Sequence, residues 1–458
     1  MDRRSFLKKG TLATIAAAAA LYGLRQAPAD SAEKPSPHPE GVDAGFARAI
    51  PTHIALSWTE DPTTTQTVTW QSDAAAEKGL VEYQASDKLT PARRSDATAR
   101  LFTTDLGSTR LFSAVLRGMA SNTRYIYRVG DGVCWSSWHT FTTAEAHAEH
   151  FKFLLFGDSQ SGSNEPLYAP WALTLHNAFR ANSDARFCIN AGDLVETGQS
   201  GAHWNAWFDA AQGVIDTIPQ MPIDGNHETY PAIHDPADPT HQRYLGTFPV
   251  FYDTQFQLPQ NGPAELRTQT YSFTYGNVHF VALDSQEAEE KHDILRKQVS
   301  WLEADLAAST AQWNIVLFHR TPYDIKLARN NDYVKQIFTP VLDKYHADIV
   351  FNGHDHGVAR TFPVKSGVFS HQPSQGTVYY VTGRSGNKTY DDLLKKPCNS
   401  YFYNPLDQPN YLVVEVQGLL LTVKTFKQDG TLLDTYTLDK ANDTTTDSHL
   451  PLPEPTHA

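Results

Sequence analysis

The sequence predicts a small all-β sandwich of fibronectin or immunoglobulin type leading into an α/β domain, and three observations carry that prediction. At 458 residues the chain is longer than one ordinary domain. From Ile50 to about Thr143 it holds only short alternating runs: HIALSW, TQTVTWQ, GLVEYQ, LFSAVLRG, RYIYRVG and SWHTFTT. After Glu145 apolar strand-like runs alternate with helical stretches, which is the order of a domain whose strands are covered by helices.

In the first region Val68 and Trp70, and Tyr125, Tyr127 and Val129, alternate with polar neighbours, as half-buried strands do. Turn residues separate the runs and no helical period intervenes, so a sandwich over residues 45–146 is expected. In the second region the strands are FKFLLFGDSQ, ARFCINAGDLV, MPIDGNHE, HFVALDS, WNIVLFHR and ADIVFNGHDH. Helices are expected over Leu167–Arg180, His203–Ile215, Lys291–Leu306 and Val334–Tyr345. TVYYVTGR and YLVVEVQGLLLTVKTF form a closing antiparallel part, which ends this domain at about residue 438 from a start near 150. The tail over 439–458 (ANDTTTDSHLPLPEPTHA from Ala441) lacks apolar periodicity and is expected to be disordered.

Adjacent Arg3 and Arg4, then Phe6 and Leu7, precede an Ala-rich apolar stretch from Gly10 to Leu24 and the Ala27-Pro-Ala29 triplet. This resembles a twin-arginine export signal over residues 1–32, cleaved near Ala29 or Ala32, with a periplasmic or secreted product. The apolar stretch falls short of the roughly 20 residues needed to span a bilayer, so no lasting membrane anchor is expected. Five cations and one carboxylate leave with residues 1–29, taking the net charge from −13 to −17. So acidic a protein lacks the basic surplus that a nucleic-acid partner needs. An anionic substrate would then require local positive charge, which metal ions can supply. Three cysteines, Cys134, Cys188 and Cys398, make no disulfide framework, and Cys188 in its apolar run reads as a small buried residue.

All but one of the α/β runs end in residues that bind hard or borderline cations. Asp158 closes the first, Asp193 the second, Asn226-His227 the third, His319 a later one and His354-Asp355-His356 the last. Ligand sites of α/β sheets gather at the carboxyl ends of strands, so these residues can converge although they are far apart in sequence. Singly, a Gly-Asp at a strand end is most often a turn, and His319 after VLF fits a core histidine. The order D, GD, GNH, H, GHxH is another matter, because five such endings do not arise as unrelated turns. Carboxylate, amide oxygen and imidazole suit iron, manganese, zinc or cobalt.

These motifs resemble the calcineurin-like metallophosphoesterase superfamily. Together with WTEDPTTTQTVTW, SNTRYIYRVGD, WHTFTT, GHDHGVAR and VKTFKQDGTLLDTYTL, they resemble purple acid phosphatases, which carry an N-terminal fibronectin-like domain. The resemblance implies two sheets flanked by helices and a site for two divalent or mixed-valence metal ions. It makes Asp193 the bridging carboxylate, gives Asp158 and His356 to the first metal, and gives Asn226, His319 and His354 to the second. Two cations roughly 3.5–4 Å apart would share a hydroxide and grip the phosphoryl group. His227 would stabilise or protonate the leaving group, and Arg320 and Arg360 would bind the phosphate of a small ester.

Two departures stand out. Where purple acid phosphatases have an iron-binding tyrosine three residues after the second aspartate, this chain has Glu196, so an Fe(III) chromophore is not expected. Where many superfamily members have histidine two residues after the first aspartate, it has Gln160, a neutral oxygen ligand if it binds. The expected activity is hydrolysis of phosphate mono- or diesters. A non-catalytic binding protein on a retained scaffold and a nuclease on the same core are the alternatives.

Overall fold

A computed structural model describes residues 50–87, 89, 91–161, 168–230, 248–286 and 293–448. The expected export signal lies outside the described residues. The described part falls within one compact unit that starts at Arg48.

The chain opens with β1 (Thr52–Ser57), β2 (Gln66–Asp73), β3 (Leu80–Ala85) and β4 (Arg93–Asp96). There follow β5 (Thr98–Thr104), β6 (Gly107–Leu116), β7 (Arg124–Gly130) and β8 (His139–Thr142). They form two antiparallel sheets of four strands, ordered β1-β2-β6-β5 and β4-β3-β7-β8. Every second side chain of β2, β3 and β7 points inward, so Val68, Trp70, Val81, Tyr83, Tyr127 and Val129 meet in one core.

This sandwich is joined to the α/β region by backbone as well as side chains. Leu56 donates its N–H to Ile215 O and accepts from Gln220 N, both at 2.8 Å, and Tyr127 Oη donates to Asp216 O at 2.7 Å. Trp58 packs edge-on against Phe187, with ring centroids 5.3 Å apart.

The α/β region has β9 (His150–Phe156), α1 (Ala169–Ala181), β10 (Cys188–Asn190), α2 (Gly201–Ala211) and α3 (Val250–Gln255). Next come β11 (Tyr271–Tyr275), β12 (Val278–Ala282), α4 (Asp293–Ala308), β13 (Trp313–Leu317), α5 (Asp332–Tyr345) and β14 (Ile349–Asn352). Short strands β15 (Val358–Thr361), β16 (Val364–Lys365) and β17 (Val368–Phe369) precede β18 (Val378–Thr382) and β19 (Asn399–Tyr403). The last four are β20 (Asn410–Gln417), β21 (Leu420–Lys427), β22 (Leu432–Asp439) and β23 (Thr444–Asp447).

One sheet has the order β10-β9-β20-β21-β22-β23 and the other β11-β12-β13-β14-β18-β15-β19. In the second, β12, β13, β14 and β18 run parallel. Phe153, Phe187, Phe280 and Val414 fill the single core that both sheets share, with Phe153 and Phe187 stacked at 4.9 Å. This is the expected layered α/β sandwich behind an all-β domain.

The details differ from the sequence reading in three places. MPIDGNHE is not a regular strand: Gln220 bridges Cys188 and Ile223 bridges Ala191 as isolated pairs, with Met221 N and Ile223 N donating to Cys188 O and Asn190 O at 2.9 and 3.0 Å. The helix expected over His203–Ile215 runs over Gly201–Ala211 instead. The tail expected to be disordered from residue 439 forms β23, antiparallel to β22, and Asp447 is buried. Only residues 449–458 of that segment lie outside the described part. The three cysteines are free. Among the described residues no helix is long and apolar enough to cross a membrane.

Candidate metal centre

The loops that leave β9 and β10 in one sheet meet those that leave β13 and β14 in the other. Asp158 follows β9, Asp193 follows β10, His319 follows β13, and His354 and His356 follow β14. Four of these residues hold left-handed backbone angles: Asp158 at φ 51°, Asp193 at 53°, His354 at 77° and His356 at 58°. Non-glycine residues adopt this conformation at a cost, and such strain collects at functional sites. The motif glycines are there for room. A Cβ on Gly225 would lie 2.2 Å from Asp193 N and Oδ1, and one on Gly192 would lie 2.5 Å from His319 Nδ1.

Two groups of donor atoms result, Asp193 with His319 and His354, and Asp158 with Asp193 and His356, each within 4.8 Å. Asp193 belongs to both. His319 Nε2 is 3.2 Å from Asp193 Oδ2 and 3.2 Å from His354 Nδ1. His356 Nε2 is 3.2 Å from Asp158 Oδ1. The distal ring nitrogens are anchored: His319 Nδ1 donates to Ala191 O and His356 Nδ1 to Lys388 O, both at 2.8 Å. Those bonds fix the tautomer that turns each Nε2 toward the carboxylates.

The two amides fit the same purpose. Asn226 Nδ2 donates to Tyr230 Oη at 2.5 Å, while Asn226 Oδ1 is buried with no hydrogen-bond partner. Gln160 Oε1 is likewise buried and unsatisfied, with its Nε2 3.2 Å from Asp193 Oδ2 and 3.4 Å from His356 Nε2. A buried carbonyl oxygen left without a donor is costly, and a cation would relieve it. The residues present therefore fit a pair of metal ions.

Charge in the site points the same way. Burial, and then the neighbouring Asp193, push the Asp158 carboxyl well above the usual range. Burial opposes the charge of Asp193 too, yet the imidazoles of His319 and His227 hold its carboxyl well below that range. Burial lowers His354 and His356 well below an ordinary imidazole, with Arg329 and Arg320 adding to it at His354 and Lys388 at His356. Asp193 and the imidazoles of His354 and His356 are thereby held in the unprotonated forms that bind metal ions.

His227 lies beside the pair, with Nε2 3.8 Å from Asp193 Oδ2, Nδ1 donating to Glu196 O at 2.6 Å, and its N–H donating to Asp193 Oδ1 at 2.9 Å. Burial, then Lys388, bring its pKa down to about 4. Arg320 stands behind His354: its Nη1 donates to His354 Nε2 at 3.1 Å and its Nε to Gln286 Oε1 at 3.3 Å.

Arg360 is not at the site. It is fully buried in β15, ion-paired with Asp434 and Asp447 and stacked 3.9 Å from the Tyr436 ring, so its guanidinium has no route to a phosphate. The sequence singled it out because it follows GHDH by four residues. One strand register turns it into the core.

Sequence reasoning missed the groups that hold the ligand loops. Glu228 accepts N–H bonds from Asp193, Leu194, Val195 and Gly225 at 2.6–3.1 Å and so clamps two loops together. Burial beside Asp193 raises its pKa to about 8. Asp355 accepts from Ile325 N at 2.6 Å and forms an ion pair with Arg329 Nε at 3.2 Å, which fixes the loop after His319. Both stand inside the motifs, GNHE and GHDH, and that was the available signal.

A two-sheet α/β sandwich with carboxylates, an amide and histidines converging at its strand ends has the architecture of a metallophosphoesterase. Comparison with known proteins agrees. Residues 51–143 match the purple acid phosphatase N-terminal domain and residues 151–358 match the calcineurin-like phosphoesterases. The chain thus carries a domain like the purple acid phosphatase N-terminal domain, followed by a calcineurin-like phosphoesterase domain. It is 26% identical over 362 residues to an uncharacterized protein of Mycobacterium tuberculosis, covering 68% of this chain and 62% of that one. It is 32% identical over 190 residues to purple acid phosphatase 15 of Arabidopsis thaliana, covering 40% of this chain and 32% of that one. The chain thus spans less than two thirds of the length of either relative. The fold is also that of a purple acid phosphatase from yellow lupin seeds, with TM-score 0.70, 19% identity, and coverage of 85% of this chain and 74% of that one.

Proposed function

We propose that this chain is an exported metallophosphoesterase that holds two metal ions and hydrolyses small phosphate esters. One observation carries the reading: two donor sets share Asp193, and the buried amide oxygen of Asn226 has no hydrogen-bond partner. Asp158, His356 and Gln160 would hold the first ion, and Asn226, His319 and His354 the second, with Asp193 between them. Such a pair, when bound, polarises the phosphoryl oxygens and makes water a stronger nucleophile at neutral pH.

The protein's own part is orientation. Glu228 fixes the backbone of Asp193, Ala191 and Lys388 fix the imidazoles of His319 and His356, and Arg320 steadies the ring of His354. His227 adjoins the place where a phosphate would lie, its Nδ1–H held by Glu196 O and its Nε2 directed toward Asp193. Export rests on the Arg3-Arg4 leader, and a twin-arginine route suits a protein that loads metal as it folds.

The test pairs elemental analysis of the mature protein with turnover of aryl phosphate mono- and diesters. Asp193→Ala should leave less than one metal per chain and no turnover, because it removes the ligand common to both sets. Near-normal turnover by a folded Asp193→Ala protein would overturn the two-metal reading.

A further inference from the structure

The loop after β18 brings a cation to the site that the proposed reaction does not use. Lys388 is mostly buried, its side chain 23% exposed. Its Nζ stands 2.9 Å from His227 Nε2 and 3.3 and 3.4 Å from the two carboxylate oxygens of Glu196. Because Nδ1 of His227 donates to Glu196 O, Nε2 is the accepting nitrogen and Lys388 is the donor to it. The same residue's carbonyl receives His356 Nδ1–H at 2.8 Å, so the loop that presents the ammonium is tied to a candidate ligand. His227 Nε2 is in turn 3.8 Å from Asp193 Oδ2.

Glu196 stands where the family resemblance places the iron-binding tyrosine, and here its carboxylate is engaged by Lys388. An ammonium has three protons, and Glu196 and His227 account for two of them. We infer that Lys388 is a substrate-binding residue that recognises the extra anionic oxygen of a phosphate monoester, with Glu196 and His227 as positioning residues, and that the chain therefore prefers monoesters to diesters. This rests on the metallophosphoesterase reading. The discrimination is one of charge. A monoester dianion keeps three unsubstituted oxygens and a second negative charge, whereas a diester carries one charge and a second carbon substituent. Metal ions serve both substrates. A positioned ammonium adds most to the dianion, and a charge-assisted hydrogen bond is the strong kind.

The experiment uses the metal-loaded protein, with metal content measured for each variant. It compares kcat/KM for 4-nitrophenyl phosphate and bis(4-nitrophenyl) phosphate in wild type, Lys388→Gln and Lys388→Arg, and measures inorganic phosphate binding by calorimetry. Lys388→Gln should lower the monoester value about ten- to a hundredfold, the usual weight of a charged hydrogen bond, and weaken phosphate binding by a similar factor. The diester value should fall far less, and Lys388→Arg should recover part of the loss. Equal losses on both esters, or unchanged phosphate affinity, would overturn the inference. So would loss of metal in Lys388→Gln together with Glu196→Gln, since the lysine would then be a structural prop. If wild type with metal bound turns over neither ester, the enzymatic reading fails, while phosphate calorimetry still reports on Lys388.

Discussion

At Gln160 an amide stands two positions after Asp158, with Nε2 between Asp193 Oδ2 and His356 Nε2 and Oε1 buried without a partner. Exchanging the amide's oxygen and nitrogen, an assignment that rests on the hydrogen-bond network, would turn the oxygen toward the first donor set. As a hard neutral ligand, that oxygen should shift the first site away from zinc and toward manganese or iron. Gln160→His is then expected to tighten zinc binding, measured by competition with a chelator. Equal affinities in two equally stable proteins would put Gln160 outside the ligand set. Glu196 allows a second expectation. With its carboxylate held by Lys388 and no phenol at that position, iron loading should give no intense visible charge-transfer band. A strong band would point to Tyr390, whose ring centroid is 4.5 Å from that of His356. Of the site, the candidate ligands were legible because each lies in a short motif at a strand end. Lys388 was not, because nothing in SGNKTYDD differs from an ordinary polar loop until the fold sets it beside His227.

The elements show where pattern reading works and where it stops. β9, β13 and β14 are continuous apolar runs because both their faces are covered, and such runs stand out in sequence. β23 is an edge strand of three successive threonines and an aspartate with no apolar signal, and it read as a disordered tail. What secures that end is charge: Asp447 on β23 and Asp434 on β22 both pair with Arg360 on β15, a contact between the two sheets. Tyr380 Oη and Ser448 Oγ also donate to Asp434, at 3.2 and 3.1 Å. Arg360→Met would leave two buried carboxylates without their cation. Breaking a buried pair in this way costs about 3–5 kcal/mol, so the urea midpoint should fall clearly. KM per folded molecule should stay as in wild type, since Arg360 does not face the site. A raised KM at unchanged stability would restore the role in phosphate binding that the sequence suggested.

Across the whole molecule, the sandwich and the two-sheet body are fused rather than tethered, and the metal site lies between the two sheets. Leu56 bonds through its backbone to the segment after α2, and that segment bridges to β10, which Asp193 follows three residues on. Unfolding the sandwich would therefore expose the edge of the sheet that carries the site. Without cations, Asp158, Asp193 and three imidazoles are packed together with little solvent, and the body bears an unfavourable charge arrangement at its centre. Ligands that bind only the folded state stabilise it, by about 2.7 kcal/mol at a hundred times Kd. A strong chelator should therefore lower the melting temperature of the purified protein. Because the parts are fused, calorimetry should show one transition that moves as a whole. Asp193→Ala, already lacking the shared ligand, should melt at the same temperature with and without chelator. Two transitions, of which the chelator moves only one, would mean that the sandwich unfolds on its own and that the backbone bonds of Leu56 do not couple it to the site.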